Sequence, residues 1–234
     1  MKKAALVFVL IIVASVGHSQ SFEGIVRWKI EMEYHDTTSH SAWLEKTAKA
    51  YKKTSFVPAG LVIKIKRASL VSTYEGGVMD QSSMLEVPGK DSLCMIINQT
   101  KQFGYRTKIN FERIDSASLY PAPRVTRTSE VLKIAGYNCT KYISELLDHD
   151  GTLLATAYWW TTTEIRNIDV KAFVVHSRFI GVEGFPLKYI EGLPLKMVSG
   201  DEEETTTIEL VEIKKQRIPA SDFKIPVGYA KIKL

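Results

Sequence analysis

The stretch Phe22-Glu23-Gly24-Ile25-Val26-Arg27-Trp28-Lys29-Ile30-Glu31-Met32-Glu33-Tyr34-His35 sets apolar or small residues at every even position and, Ile25 apart, polar residues between them. A period of two puts alternate side chains on opposite faces of a strand, so this segment predicts a long strand with one buried face. Leu61, Ile63 and Ile65 alternate with Lys64 and Lys66 in the same way. Gly76-Gly77 then turns the chain toward Val78 and Met79, and Pro88-Gly89 punctuates the next join. In the strand that follows, Leu93, Met95 and Ile97 face one way and Cys94 and Ile96 the other.

Asp150-Gly151 is the clearest hairpin signal, joining residues 136–147 to residues 152–163. In its second strand Leu153, Ala155, Ala157 and Trp159 share one face, and Leu154, Thr156, Tyr158 and Trp160 share the other. Phe185, Leu187, Tyr189, Leu195 and Met197 continue the pattern to the acidic run Asp201-Glu202-Glu203-Glu204, read as a solvated turn, and 205–214 reads as the returning strand. Nine or ten strands are expected, more than a small sheet holds without curling.

Two segments have helical spacing instead. Trp43, Leu44, Thr47, Ala48 and Tyr51 follow Ser41 as a candidate N-cap, and Ile168, Ala172, Val175 and Phe179 are ended by Gly181. The fold class expected is mainly β with a few helices (α+β): a curved antiparallel sheet forming a half-open barrel, with two helices covering the concave side. Tyr120-Pro121-Ala122-Pro123 marks a loop, but no linker or fixed repeat divides the chain. One domain over residues 21–234 is the economical organisation.

Ahead of it, Lys2 and Lys3 precede an apolar run from Ala4 to Val16 that ends in Gly17-His18-Ser19, the order of a secretory signal peptide over residues 1–20. The run is shorter than the roughly 20 residues a membrane-spanning helix needs. No cysteine follows it to carry a lipid anchor, so a soluble exported protein with no transmembrane segment is expected. The formal charge of +5 includes Lys2 and Lys3. The basic residues Arg27, Lys29, Lys64 and Lys66 are spread along strand faces, which argues against a nucleic-acid partner.

Cys94 and Cys139 are the two cysteines. In an oxidising compartment they either bridge, closing a loop that stabilises by roughly 3 to 4.5 kcal/mol on the chain-entropy model, or remain buried thiols. No Gly-x-Ser-x-Gly, His-Glu-x-x-His, Cys-x-x-Cys, dinucleotide or P-loop pattern occurs. No catalytic residue, metal site or cofactor is therefore expected. His35, Asp36 and His40 form the best local set of metal-capable side chains, and a polar turn accounts for them more simply. His149 falls in the Asp150-Gly151 hairpin and His176 on the polar side of the second helix. The triplets from Asn98 and from Asn138 match the glycosylation pattern, which matters only in a eukaryotic secretory route. Trp28, Trp43, Tyr158, Trp159 and Trp160 are the candidate lining of an apolar ligand pocket, against the plainer reading of core under a curved sheet.

Residues 134–142 (IAGYNCTKY), 159–165 (WWTTTEI), 184–188 (GFPLK) and 218–229 (IPASDFKIPVGY), together with the opening 21–25 (SFEGI), occur in an order that resembles a secreted bacterial domain-of-unknown-function family. Its fold is related to the periplasmic lipoprotein carriers. Residues 51–127 carry no motif of that family. The resemblance implies a half-open barrel in the periplasm or outer envelope of a Gram-negative bacterium, and it brings no activity with it. Two functions follow as expectations: binding or carriage of a lipid or acyl ligand, and a non-enzymatic module that contacts an envelope protein through its outer sheet face or an edge strand.

Overall fold

The computed structural model describes residues 22–35, 39–53, 55–67, 69–86, 92–107, 122–166, 168, 189–200 and 204–233. The proposed signal peptide, the Pro88-Gly89 join and Ala172, Val175, His176, Phe179, Phe185 and Leu187 lie outside them. Among the described residues twelve strands form one sheet: β1 (Glu23–Tyr34), β2 (Gly60–Lys66), β3 (Ser69–Glu75), β4 (Ser83–Glu86), β5 (Ser92–Ile97), β6 (Gln102–Thr107), β7 (Arg124–Ile134), β8 (Tyr137–Leu147), β9 (Leu153–Thr162), β10 (Leu193–Gly200), β11 (Glu204–Lys215) and β12 (Ala230–Lys231). Their order is β12-β6-β5-β4-β3-β2-β1-β11-β10-β9-β8-β7, so the sheet is open, with edges at β12 and β7. Every pairing is antiparallel except the parallel contact of β12 with β6.

The opening alternation produces β1 as expected. Phe22, Val26, Trp28 and Ile30 are buried, and β1 becomes the centre of the sheet, between β2 and β11. Register then carries its inner face outward. Trp28 lies opposite Leu61 and Leu210, Leu61 opposite Tyr74, and Ile30 opposite Ile208. On the far side Ile208 faces Met197, Met197 faces Trp159, and Trp159 faces Tyr142. These side chains belong to one core cluster reaching from Met84 on β4 to Tyr142 on β8.

Turn chemistry fixes the hairpins. Asp148 Oδ1 accepts hydrogen bonds from the Asp150 and Thr152 amides at 2.9 and 2.7 Å, and Gly151 takes φ +83°. The carboxylate thus closes the β8–β9 loop that Asp150-Gly151 signalled. Between β7 and β8, Ala135 and Gly136 both have positive φ, +48° and +91°, which matches the right-handed strand twist in a two-residue loop. Residues 205–214 return as β11, with Gly200 opposite Thr205 across the acidic turn. Val78 and Met79 lie in a turn, and the next strand begins at Ser83.

One helix, α1 (Ser39–Ala50), is present among the described residues, so two helices covering a concave face are not found. Ser41 lies inside α1, not ahead of it. Of its spaced residues Leu44 and Ala48 are buried, and Trp43 and Tyr51 are exposed. The second predicted helix falls almost wholly outside the described residues; Ile168, its first residue, is not helical and packs partly buried against the main core.

Part of the sheet's outer face is covered by the C-terminal residues. After β11 the chain leaves the centre of the sheet and runs to the far edge, where β12 pairs with β6. Phe223, Ile225 and Tyr229 pack there on Val71, Leu85, Cys94 and Ile96, a second cluster distinct from the main core. This strap contains the 218–229 motif.

Candidate functional site

The five aromatic side chains proposed as a pocket lining do not share one surface. Trp28 and Trp159, each 2% exposed, stand on the inner face, with Met197 and Ile208 between them in the register. A bulge between Pro194 and Lys196 shifts β10 against β9 at this place. Proline has no amide to give to the ladder, which explains why pairing breaks there. Trp28, Trp159, Pro194, Leu195, Lys196, Met197 and Ile208 line a cavity of about 10 Å³. That is room for about one water, far below the several hundred Å³ of ordinary ligand pockets.

Tyr158 and Trp160 project from the opposite face of β9. There the Lys141 Nζ lies 5.2 Å from each ring centroid, and the Lys196 Nζ lies 5.8 Å from that of Trp160. Both ammonium groups are also ion-paired, Lys141 with Glu130 at 2.8 Å and Lys196 with Glu209 at 2.7 Å. The Lys141 ammonium is the main reason that the Glu130 carboxyl sits below its usual range. Trp160 is thus a buried ring clasped by two lysines, and this face is a cross-strand ladder of opposite charges. Trp43 belongs to neither group. It is 54% exposed on α1 and meets the Phe56 ring at 5.6 Å between centroids.

Cys94 and Cys139 are free thiols, so the disulfide alternative is not realised. Cys94 packs in the outer cluster beneath the strap, whereas Cys139 belongs to the main core, and seven strands separate β5 from β8 in the sheet order. Burial pushes each thiol up to about 11. The His35 ring nitrogen Nε2 meets Thr205 Oγ1 at 2.7 Å, a contact between β11 and the end of β1. Among the described residues no three His, Cys, Asp or Glu side chains come together to hold a metal. No described helix is long and apolar enough to cross a membrane.

The strap, which the sequence showed only as a motif, is anchored at both ends. The Glu23 carboxylate accepts the Ile218 amide at 2.8 Å, and Lys66 Nζ lies 3.5 Å from the same Glu23 oxygen. That backbone hydrogen bond, with Lys66 and Arg217 adding to it, holds Glu23 below the ordinary carboxylate range. Lys64 donates to Asp222 at 2.7 Å, and the Tyr229 hydroxyl donates to Asn98 Oδ1 at 2.6 Å. The Ala230 and Ile232 amides then donate to the carbonyls of Lys101 and Phe103 at 2.9 and 2.8 Å. Charged partners thus hold the start of the strap, a Tyr–Asn hydrogen bond and main-chain bonds hold its end, and aromatic and aliphatic side chains pack between them.

Comparison with curated proteins gives no match. Among solved structures, the chain is similar to LprF from Mycobacterium bovis at 10% identity, covering 89% of this chain and 90% of that one with a TM-score of 0.33. It is also similar to a DUF1329 family protein from Desulfovibrio piger at 8% identity, covering 87% and 90% with a TM-score of 0.35. Likeness at this level says nothing about what the chain binds. Residues 75–229, more than half of the sequence, match the family model described as a domain of unknown function, DUF4412, and the chain belongs to that family.

Proposed function

We propose that the chain is an exported, non-catalytic module of the bacterial envelope that acts through its surface, its inner wall serving as packing core. The basic, apolar and polar order of the first 20 residues supports export. The observation that carries the reading is the filled space between Trp28 and Trp159, where the cavity measures about 10 Å³. Native mass spectrometry of the protein taken from its own envelope tests it. The expected spectrum is the mass of the processed chain with two reduced cysteines, free of bound lipid. A stoichiometric lipid adduct that survives desalting would overturn it.

A second reading, carriage of a lipid or acyl chain, is favoured by the unbroken apolar inner wall from Met84 to Tyr142. It requires the Trp28 and Trp159 side chains to separate on loading. Titration with an apolar fluorophore should then quench tryptophan emission saturably at one site per chain. A linear, non-saturating response removes this second reading.

A further inference from the structure

We propose that one flank of α1, with the turn that follows it, rests on an anionic lipid surface. The inference rests on the reading of the chain as a module that works through its surface, and it names that surface. Leu44 and Ala48 are buried, which fixes the rotation of α1 about its axis. Trp43, Thr47 and Tyr51 follow at four-residue spacing and so form one stripe along the flank, and both aromatic side chains are exposed. Tyr51 lies one residue past the end of α1, held in line by its amide, which donates to the Thr47 and Ala48 carbonyls. Phe56 extends the stripe through its ring contact with Trp43. Single exposed apolar side chains are ordinary on a protein surface, whereas a row of rings marks a contact face.

The charges beside the stripe indicate what covers it. From Ser39 to Lys53 the chain carries Lys46, Lys49, Lys52 and Lys53, with Glu45 as the one carboxylate. Lys49 pairs with Glu45 at 3.4 Å and Lys53 with Asp80 at 2.9 Å, so Lys46 and Lys52 stay uncompensated among the described residues. Lys46 is one turn from Trp43, and Lys52 follows Tyr51 directly. A positive rim around apolar rings is complementary to a partner that carries negative charge over an apolar layer, as lipid headgroups lie over acyl chains. Tryptophan and tyrosine favour that boundary because an apolar ring carries one polar edge, and lysine reaches headgroups on a flexible stem. A protein partner fits less well: protein interfaces enrich arginine and deplete lysine, and no arginine occurs from residue 39 to residue 66.

The test uses the exported chain with vesicles of equal parts phosphatidylglycerol and phosphatidylcholine, beside vesicles of phosphatidylcholine alone. Co-sedimentation should show binding to the anionic vesicles that high salt weakens. Of the four tryptophans Trp43 alone is exposed, so binding should shift the emission to the blue and shield it from an aqueous quencher. Lys46→Gln combined with Lys52→Gln should weaken binding roughly thirtyfold, about fivefold for each lysine lost at the surface. Lys214→Gln combined with Lys215→Gln removes the same charge at the opposite end of the sheet and should leave binding unchanged. All four lysines are exposed, so neither pair of changes threatens the fold. Equal loss in the two double variants, binding without an emission shift, no preference for anionic vesicles, or the same shift with soluble polyglutamate overturns the proposal. A surface contact of this kind keeps no single lipid through desalting. Lipid-free native mass spectra from a chain that ignores vesicles remove this inference and leave the module reading standing; a stoichiometric lipid in those spectra removes the module reading whatever the vesicles do.

Discussion

The Trp159 indole donates to the Ser144 hydroxyl across the β8–β9 pair at 2.8 Å, and both residues are buried. Ser144 Oγ also lies within reach of the Ala157 carbonyl at 3.4 Å, so one small hydroxyl satisfies the polar edge of a buried core indole. Ser144→Ala leaves the indole without this acceptor and should destabilise the fold by about 1–3 kcal/mol. Urea unfolding followed by tryptophan emission measures it. A loss within a few tenths of a kcal/mol would mean that the indole finds another acceptor.

Cys94 and Cys139 are each fully buried and free, with thiols pushed up to about 11 by burial. Reactive thiolate is scarce in such sites, so a thiol reagent should label neither cysteine in the native protein and both after denaturation. Phe223→Ala should let Cys94 react while Cys139 stays protected, because only Cys94 lies under the strap. Equal labelling of the two would contradict the separate cover.

Glu23 ties the start of the strap to β1, and its carboxyl is held below the unshifted 4.5 chiefly by the Ile218 amide. A carboxyl lowered in the folded state stabilises it above the unshifted value and loses that contribution as pH falls through the lower folded value. Hydrogen exchange at the Ile218 amide should therefore accelerate below about pH 4.5, relative to the acid trend of a core amide such as Leu61. In a Glu23→Gln chain the acceleration should shrink, since the amide has lost its carboxylate partner at every pH. An unchanged profile would place the anchor elsewhere.

Gly192 enters β10 with φ +89°, and a Cβ there would collide with the Thr162 carbonyl at the end of β9. Gly192→Ala combines a left-handed backbone with contact against main chain, neither of which a side-chain rotation relieves. A loss of roughly 1–3 kcal/mol is expected by thermal or urea unfolding. Gly151→Ala serves as the comparison, with positive φ but open space around the added methyl, and it should cost less. Equal costs would show that backbone strain alone sets the penalty.

Much of the sheet was legible from local pattern. The alternation from Phe22 to Tyr34 reported a strand because only extended backbone turns every second residue to one face, and Asp150-Gly151 reported a hairpin because its turn needs a left-handed glycine. The same period already separated Trp159 from Trp160, which as neighbours in a strand cannot line one pocket. β7 escaped notice because it is an edge strand exposed on both faces, so burial imposed no alternation on residues 124–134. The strap was visible as a motif, while its place over β3 to β6 was not.

Sequence alone determined which segments extend, which side chains share a face, and where several tight turns fall, since steric limits on neighbouring dihedral angles act within a few residues. Tertiary structure decided that the two cysteines stay apart, that Trp28 meets the Trp159 side of the core while Trp43 does not, and that residues 218–232 cross the outer face. Those outcomes depend on strand order and on contacts between residues far apart along the chain, which local chemistry permits without choosing.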